Sequence, residues 1–151
     1  MPTLSVGDQA PLFRLSDAEG RDVSLADFKG KQKVVLIFYP GDDTSGCTKQ
    51  LCAVRDDWKK FRKADIAVFG VNHADAESHQ QFKDKYHLTT PLLIDEGHKV
   101  AKAYGAVRLS FNPLKINRTV VGISKEGTII YFQPGMPTND EILSAMGARE
   151  A

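Results

Sequence analysis

Cysteine is scarce in this sequence of 151 residues, which contains two thiols, Cys47 and Cys52. Two cysteines five positions apart do not form the framework of bridges that staples small secreted domains. They also do not fit a zinc site, which needs a second pair of ligands. The four histidines lack metal-ligand spacing and are expected at the surface: His73, His79, His87 and His98. No metal and no other cofactor is therefore expected, and the two thiols are candidates for reactive groups.

Long apolar runs and an excess of one charge are also missing. The longest apolar run, residues 34–40, is far shorter than the roughly 20 residues that cross a bilayer, and no signal peptide is recognisable at the start. Lys and Arg number 20 against 19 Asp and Glu, and they are dispersed, which excludes an extended phosphate-binding surface. We therefore expect one cytoplasmic domain over residues 1–151, with neither nucleic acid nor membrane as a partner.

The most informative stretch begins with the run Val34–Tyr39, whose β-branched residues indicate a strand buried on both faces. Residues 40–41, a proline and a glycine, end that strand, and the polar run 42–45 is typical of a helix N-terminus. The following helix, predicted over about residues 46–62, has Cys47 in its first turn. Partial positive charge and unpaired N–H groups at a helix N-terminus favour the nucleophilic thiolate. Cys47 is therefore predicted to be reactive.

Helical spacing separates the two cysteines. Cys47 shares a core-facing stripe with four apolar residues: Leu51, Val54, Trp58 and Phe61. Cys52 lies about 140° away, on the side expected to face water. In an intact helix the two Cα atoms would be roughly 8–9 Å apart, whereas disulfides rarely tolerate more than about 7 Å. The two thiols can therefore pair only if the first turns of the helix unwind.

These residues resemble a known family. Phe38-Tyr39-Pro40, followed by Thr44-Ser45-Gly46-Cys47, is similar to the active-site motif of the peroxiredoxins. The step of five residues to Cys52 resembles the Q-type, or bacterioferritin-comigratory, branch of that family. The similarity covers nearly the whole chain, with further matching segments at residues 6–13, 24–30, 91–95, 100–105 and 118–123.

The resemblance implies an α/β, thioredoxin-like fold, with a central mixed sheet flanked by helices and an N-terminal β-hairpin extension. The sequence pattern agrees with that order. Strands are predicted at 34–39, 66–71 and 92–94, and a hairpin at 119–133. Asp75 is expected to cap a surface helix that ends near Tyr86, and Thr138 begins a capping box before the last helix.

The resemblance also implies a mechanism. Cys47 would be the peroxidatic residue, whose thiolate attacks a hydroperoxide and becomes a sulfenic acid. Thr44 and Arg118 would donate hydrogen bonds to the sulfur and the peroxide, and Pro40 and Gly46 would shape the pocket. The resolving residue would be Cys52, which forms an intramolecular disulfide with Cys47. A thioredoxin-like dithiol would reduce that disulfide, and a monomer is expected because the resolving thiol lies in the same chain.

Other interpretations of the same residues stay open at this point. Cys47 could be a small buried apolar residue, and Cys52 an inert thiol. Thr44 could serve only as a helix cap, and Arg55 or Arg108 could take the place of Arg118. At the level of function, a redox sensor or a general thiol–disulfide oxidoreductase could use the same fold. The oxidoreductase is disfavoured because its chemistry prefers a Cys-x-x-Cys pair.

Overall fold

A computed structural model describes residues 4–108 and 115–147 of the chain. The strands are β1 (Arg14–Ser16), β2 (Asp22–Ser24), β3 (Lys33–Phe38), β4 (Ile66–Asn72), β5 (Leu92–Ile94), β6 (Val107–Arg108), β7 (Lys115–Ile116), β8 (Thr119–Ile123) and β9 (Ile129–Pro134). The helices are α1 (Ser45–Asp56), α2 (Trp58–Lys63), α3 (Ala76–Tyr86), α4 (Lys99–Ala103) and α5 (Asn139–Ala145). Two 3₁₀ turns lie at Leu25–Phe28 and Glu96–His98.

The central sheet has five strands in the order β5-β4-β3-β8-β9. Strands β4 and β5 run parallel to β3, whereas β8 is antiparallel to β3, and β9 is antiparallel to β8. Strands β1 and β2 form a separate N-terminal hairpin. The predicted mixed sheet, the N-terminal hairpin and the hairpin of β8 and β9 are therefore confirmed.

Strand β3 separates two apolar cores. Its alternate residues Val34, Leu36 and Phe38 belong to one buried cluster, and Val35, Ile37 and the following Tyr39 belong to the other. This alternation follows from the period of two in a β-strand, and burial on both faces is what the continuous apolar run predicts. The second cluster also contains buried residues of α1, α2, α3 and α5.

The prediction of one continuous helix from residue 46 to 62 is wrong, because α1 and α2 are separated at Asp57, where φ is −103° and ψ is 18°. Asn139 of α5 contacts both sides of this bend. Its side-chain amide donates to the Ala53 carbonyl and to the Asp57 carboxylate, each at 2.9 Å. A residue 82 positions from Asp57 thus stabilises the bend.

The predicted N-cap residues Asp75 and Thr138 are confirmed, but the return bond of the capping box, from the Thr138 amide to the Glu141 side chain, is not found among the described residues. The Asp75 carboxylate accepts a hydrogen bond from the Ser78 amide at 2.9 Å, and α3 follows directly. The Thr138 hydroxyl accepts one from the Glu141 amide at 3.1 Å, at the start of α5. No helix within residues 4–108 and 115–147 combines the length and the hydropathy needed to cross a membrane.

Candidate active site

Cys47 lies in the first turn of α1, and none of its surface is exposed. It packs in the second core cluster with Tyr39 and Leu51, and its thiol is free. Thr44 is the N-cap residue, and its carbonyl accepts the first helical hydrogen bond from the Thr48 amide at 2.8 Å. The predicted position of Cys47 at a helix N-terminus and on the core side is confirmed.

Arg118 lies against the backbone next to Cys47. A Cβ atom built on Gly46 would lie 2.6 Å from Nη2 and 3.1 Å from Cζ of Arg118, so a larger residue there would displace the guanidinium from this position. Strand pairing explains this placement, because Thr119 at the start of β8 is paired with Phe38 at the end of β3. Arg118 as a whole is half-buried, and its Nη1 lies 3.6 Å from the sulfur of Met136 in an exposed contact.

The predicted pocket residues are exposed to different degrees. The Thr44 hydroxyl donates to the Gly41 carbonyl at 3.1 Å and makes no side-chain cap bond, so Thr44 is not a side-chain cap. Thr44 and Pro40 are both exposed, whereas Gly46 is half-buried beneath Arg118. The roles of Thr44 and Pro40 toward a substrate therefore stay predictions.

Cys52 does not face water as predicted. It is half-buried and packs against the same core cluster as Cys47, and its thiol is also free. Arg55, one turn later, ties this side of α1 to α3, since its Nη1 donates to the Tyr86 carbonyl at 2.5 Å. The helical wheel places Cys52 on the outer side of an isolated helix and contains no information about this contact.

Arg55, the alternative to Arg118 whose side chain is described, makes its contacts elsewhere. The guanidinium of Arg55 pairs with the adjacent Asp56 at 2.9 Å, and the hydrogen bond to that carboxylate raises the pKa of Arg55. The side chain of Arg108 lies outside the part of the chain that is described. Among the described residues, it is Arg118 whose guanidinium lies against the start of the cysteine helix.

His79 is fully buried, which corrects the expectation that all four histidines lie at the surface. Its Nδ1 is 2.6 Å from Oδ2 of Asp42, and its Nε2 is 3.1 Å from the Leu93 carbonyl. The partner carboxylate is 37 positions away, and sequence spacing gives no sign of it. The sequence offers one indication that His79 points inward. It lies three residues before Phe82, and residues three apart share a helix face, so His79 faces the same side as the buried Phe82.

Asp42 collects hydrogen bonds from several sides. Besides His79, it accepts from the hydroxyls of Tyr39 at 2.6 Å and Ser78 at 2.7 Å. Burial alone would raise the pKa of Asp42, but the hydrogen bonds from these three groups outweigh it and hold the pKa below its ordinary value. Burial, followed by the nearby Asp42 carboxylate, raises the pKa of the Tyr39 phenol well above its ordinary value, so this hydroxyl stays a donor.

Asp43 makes a second connection between the active-site loop and α3. Its carboxylate accepts from Lys85 Nζ at 2.8 Å and from the Tyr86 hydroxyl at 2.7 Å. These hydrogen bonds, first of all the one from Lys85, lower the pKa of Asp43. The backbone of Asp43 has a positive φ of 57°, an uncommon conformation that aspartate tolerates better than most residues. The two consecutive carboxylates thus face α3 together.

Acidification is expected to remove the stability that ionised Asp42 contributes. Because its folded-state pKa lies below the ordinary value of about 3.9, the contribution is complete above that value and is lost as the pH falls through the lower folded pKa. The difference in unfolding free energy between wild type and Asp42→Asn should shrink as the pH falls below about 4. Urea unfolding followed by Trp58 fluorescence measures it, and a difference that grows below about pH 4 would contradict this assignment.

A cavity of about 160 Å³ opens beside the site between α1 and the segment before α5. Its lining is mostly apolar and consists of Lys49, Gln50, Ala53, Met136, Pro137, Thr138 and Asn139. The Gln50 amide oxygen is buried and has no hydrogen-bond partner among the described residues. Residues 4–108 and 115–147 contain no group of three or more His, Cys, Asp or Glu side chains suited to a metal ion. The site thus consists of a buried thiol and a guanidinium, and Met136 connects that guanidinium to the neighbouring cavity.

Comparison with known proteins adds independent information. The model of the AhpC/TSA family matches residues 6–132. Peroxiredoxin Q, chloroplastic, from Oryza sativa subsp. japonica is 48% identical over 136 residues, which cover 87% of this chain and 62% of the relative. The chain thus spans about three fifths of the length of that chloroplastic relative. The putative peroxiredoxin bcp of Coxiella burnetii is 39% identical over 149 residues, covering 96% of this chain and 98% of the relative.

Solved structures share the fold. Peroxidoxin BcpB from Mycobacterium tuberculosis superposes with a TM-score of 0.87 at 26% identity, covering 97% of this chain and 98% of the other. The bacterioferritin comigratory protein of Xanthomonas campestris has a TM-score of 0.83 at 25% identity, covering 90% of each chain. Its trapped intermediate and ligand complex structures concern alkyl peroxide reduction activity.

Proposed function

Since this chain belongs to the AhpC/TSA family, and within it to the Q-type peroxiredoxins, we propose that it is a thiol-dependent peroxidase that reduces hydrogen peroxide and organic hydroperoxides. The observation that carries the proposal is the fully buried Cys47 thiol in the first turn of α1, beside the Arg118 guanidinium. A helix N-terminus and a permanent cation together favour the thiolate that this chemistry needs.

In the first step the Cys47 thiolate attacks one peroxide oxygen. A sulfur–oxygen bond forms, the oxygen–oxygen bond breaks, and the departing oxygen takes up a proton to leave as an alcohol or water. Negative charge moves from sulfur to the departing oxygen, so donors fixed around both atoms lower the barrier. The Arg118 guanidinium beside Gly46 can supply such donors. Thr44 and the backbone amides of residues 46–47 are proposed as further donors.

In the second step Cys52 resolves the sulfenic acid. Its sulfur bonds to the Cys47 sulfur, and the hydroxyl of the sulfenic acid leaves with a proton as water. Both cysteines lie in the intact α1, so this step requires unwinding of the helix. A thioredoxin-like dithiol is proposed to reduce the resulting disulfide. The presence of the resolving thiol in the same chain supports a monomer that acts as a single domain over residues 1–151.

Stopped-flow fluorescence of Trp58 tests the first step. Trp58 is half-buried and packs against the core cluster that contains Cys47. Mixing the reduced protein with hydrogen peroxide should give a fast phase whose rate rises linearly with peroxide concentration. A rate no higher than that of an ordinary free thiol would refute the proposed peroxidase. A redox sensor would show the fast phase but no catalytic turnover with thioredoxin.

Cys52→Ser is expected to leave the first oxidation intact and to block recycling. Peroxide consumption supported by thioredoxin should fall at least about a hundredfold, because a hydroxyl cannot form the disulfide that thioredoxin reduces. Cys47 should accumulate as sulfenic and then sulfinic acid, which mass spectrometry of the peptide distinguishes. Ser144→Ala, at an exposed site of α5 away from the two cysteines, is the control. Full turnover of Cys52→Ser would show that another reductant route exists.

Met136 is expected to favour organic hydroperoxides over hydrogen peroxide. Its side chain lines the apolar cavity and contacts Arg118, although 45% of it is exposed. Met136→Gln keeps the length and removes the apolar end, so kcat/KM for cumene hydroperoxide should fall roughly tenfold with little change for hydrogen peroxide. Leu12→Gln, at an apolar residue with 74% exposure outside this cavity, is the control. Equal losses for both substrates would exclude this role.

The compartment remains a prediction. The sequence predicts the cytoplasm, whereas the relatives include chloroplastic proteins of rice and a protein of the bacterium Coxiella burnetii. Fluorescence microscopy of the tagged protein in its own cells measures the location.

A further inference from the structure

A buried polar cluster lies between the active-site loop and α3, and none of its members takes part in the steps described above. Its centre is the Asp42 carboxylate, whose side chain is 6% exposed, and its innermost member is the fully buried His79. The other members are the Tyr39 and Ser78 hydroxyls. Tyr39 ends the strand that leads to the active site, and Asp42 lies in the loop that precedes Cys47.

The two ring nitrogens of His79 face acceptors on both sides. Its Nδ1 faces a carboxylate oxygen at 2.6 Å and its Nε2 faces the Leu93 carbonyl at 3.1 Å, so each ring nitrogen faces an acceptor. The carboxylate is ionised, since its pKa is lowered and three donors converge on it. Only a ring that donates from both nitrogens satisfies both acceptors, and such an imidazolium forms an ion pair with the carboxylate away from water.

The surrounding contacts connect this ion pair to the loop that precedes Cys47. The Tyr39 carbonyl accepts from the buried Asn72 amide at 2.7 Å, so the end of β3 is fixed by β4. Asp43, next to Asp42, is bound to Lys85 and Tyr86 at the end of α3. Both ends of α3 therefore hold the segment that leads into the first turn of α1.

We propose that His79 is a positioning residue, whose ion pair with Asp42 holds the loop of residues 40–46 and the first turn of α1 in the conformation that activates Cys47. The same ion pair opposes the unwinding through which Cys52 reaches the sulfenic acid. This inference rests on the proposed peroxidase function. In this role His79 sets the rate of Cys47 oxidation relative to the rate of disulfide formation. The His79 side chain contacts neither the substrate nor a reacting sulfur.

The balance between the steps decides the fate of the sulfenic acid. In one reaction the Cys52 sulfur displaces the hydroxyl, which leaves with a proton as water. In the other, a second hydroperoxide molecule transfers an oxygen to the sulfur, which becomes a sulfinic acid while the hydroperoxide leaves as an alcohol or water. Weakening the His79 ion pair should slow the first oxidation, accelerate disulfide formation and reduce the yield of sulfinic acid.

Two substitutions distinguish the ion-pair role of His79 from a role in which the ring only fills space. The side-chain amide of His79→Asn overlays Nδ1 and can still donate to Asp42, whereas that of His79→Gln overlays Nε2 and reaches toward the Leu93 carbonyl. Glutamine matches histidine more closely in size, so a purely steric role predicts that asparagine is the more harmful change. The ion-pair role predicts the reverse order. His87→Asn is the matched control, because His87 is exposed at the C-terminus of α3 with a φ of 54°, which asparagine tolerates.

Rapid-quench mass spectrometry of Cys47 measures both steps in each variant. His79→Gln should oxidise roughly tenfold more slowly and form the disulfide roughly tenfold faster than wild type, with His79→Asn between them, since breaking a buried charge pair is strongly unfavourable. At equal peroxide exposure His79→Gln should contain the least sulfinic acid. An asparagine variant as impaired as the glutamine variant, or effects no larger than those of His87→Asn, would overturn the proposal.

Hydrogen exchange of the reduced protein tests the same inference without peroxide. Backbone amides of residues 45–52 should exchange roughly tenfold faster in His79→Gln than in wild type, while those of α5 should be unchanged, because local opening follows the lost ion pair. Unchanged exchange at residues 45–52 would refute the positioning role even in an active peroxidase. Faster exchange in a protein without peroxidase activity would support the positioning role and refute the proposed function instead.

Discussion

Cys47→Ser is expected to lower the rate of peroxide reduction at least about a thousandfold, because removing an enzymatic nucleophile leaves only what binding and neighbouring donors contribute. A serine hydroxyl does not ionise at neutral pH and cannot form a sulfenic acid. The substitution is nearly isosteric at a position with no exposed surface, so the fold should be kept. Stopped-flow fluorescence of Trp58 and steady-state peroxide consumption measure the loss.

The control for this experiment is Cys52→Ser, which removes the other thiol of the chain and should retain the fast first phase. Circular dichroism and urea unfolding establish that both variants are folded. A peroxide-dependent phase of wild-type rate in Cys47→Ser would contradict the assignment of Cys47 and would move the reaction to Cys52.

Replacing Arg118 is expected to have the second largest effect. Arg118→Met removes the cation and the fixed donors beside Gly46, and the second-order rate constant for peroxide should fall roughly a hundredfold to a thousandfold. Arg118→Lys keeps the charge but loses the planar pair of donors, so its loss should be smaller. The measurement is the slope of the fast fluorescence phase against peroxide concentration.

A matched control for the lost charge is Arg62→Met, at an exposed position of α2. It should leave the rate constant within about a factor of two, because a solvated surface charge contributes little. If Arg118→Met and Arg62→Met had equal effects, the guanidinium would act only through the overall charge of the protein.

Much of the fold could be predicted from local sequence patterns. Burial of β3 on both faces follows from its continuous apolar run, and the caps at Asp75 and Thr138 follow from side chains that reach their own backbone. The first-turn position of Cys47 follows from the residues just before it. Each of these features depends on neighbours within a few positions in the sequence.

The features that could not be predicted depend on distant partners. The bend at Asp57 is stabilised by Asn139, and the burial of His79 depends on Asp42 and the Leu93 carbonyl. The half-burial of Cys52 likewise depends on packing against the second core cluster, which a helical wheel of α1 alone cannot predict. The position of Arg118 beside the cysteine helix came only from the resemblance, because the pairing of β8 with β3 is not visible in either strand alone.

The location of both thiols within the 12-residue α1 has a consequence for the electrochemistry of the protein. The helical structure that is lost when the disulfide forms is regained when the disulfide is reduced. The free energy of refolding therefore stabilises the reduced state and raises the midpoint potential of the Cys47–Cys52 couple. Each 1.4 kcal/mol of such structure raises that potential by about 30 mV, and the loop of so few residues returns little chain entropy. The disulfide form should therefore be a strong oxidant, because refolding of α1 favours its reduction to the dithiol.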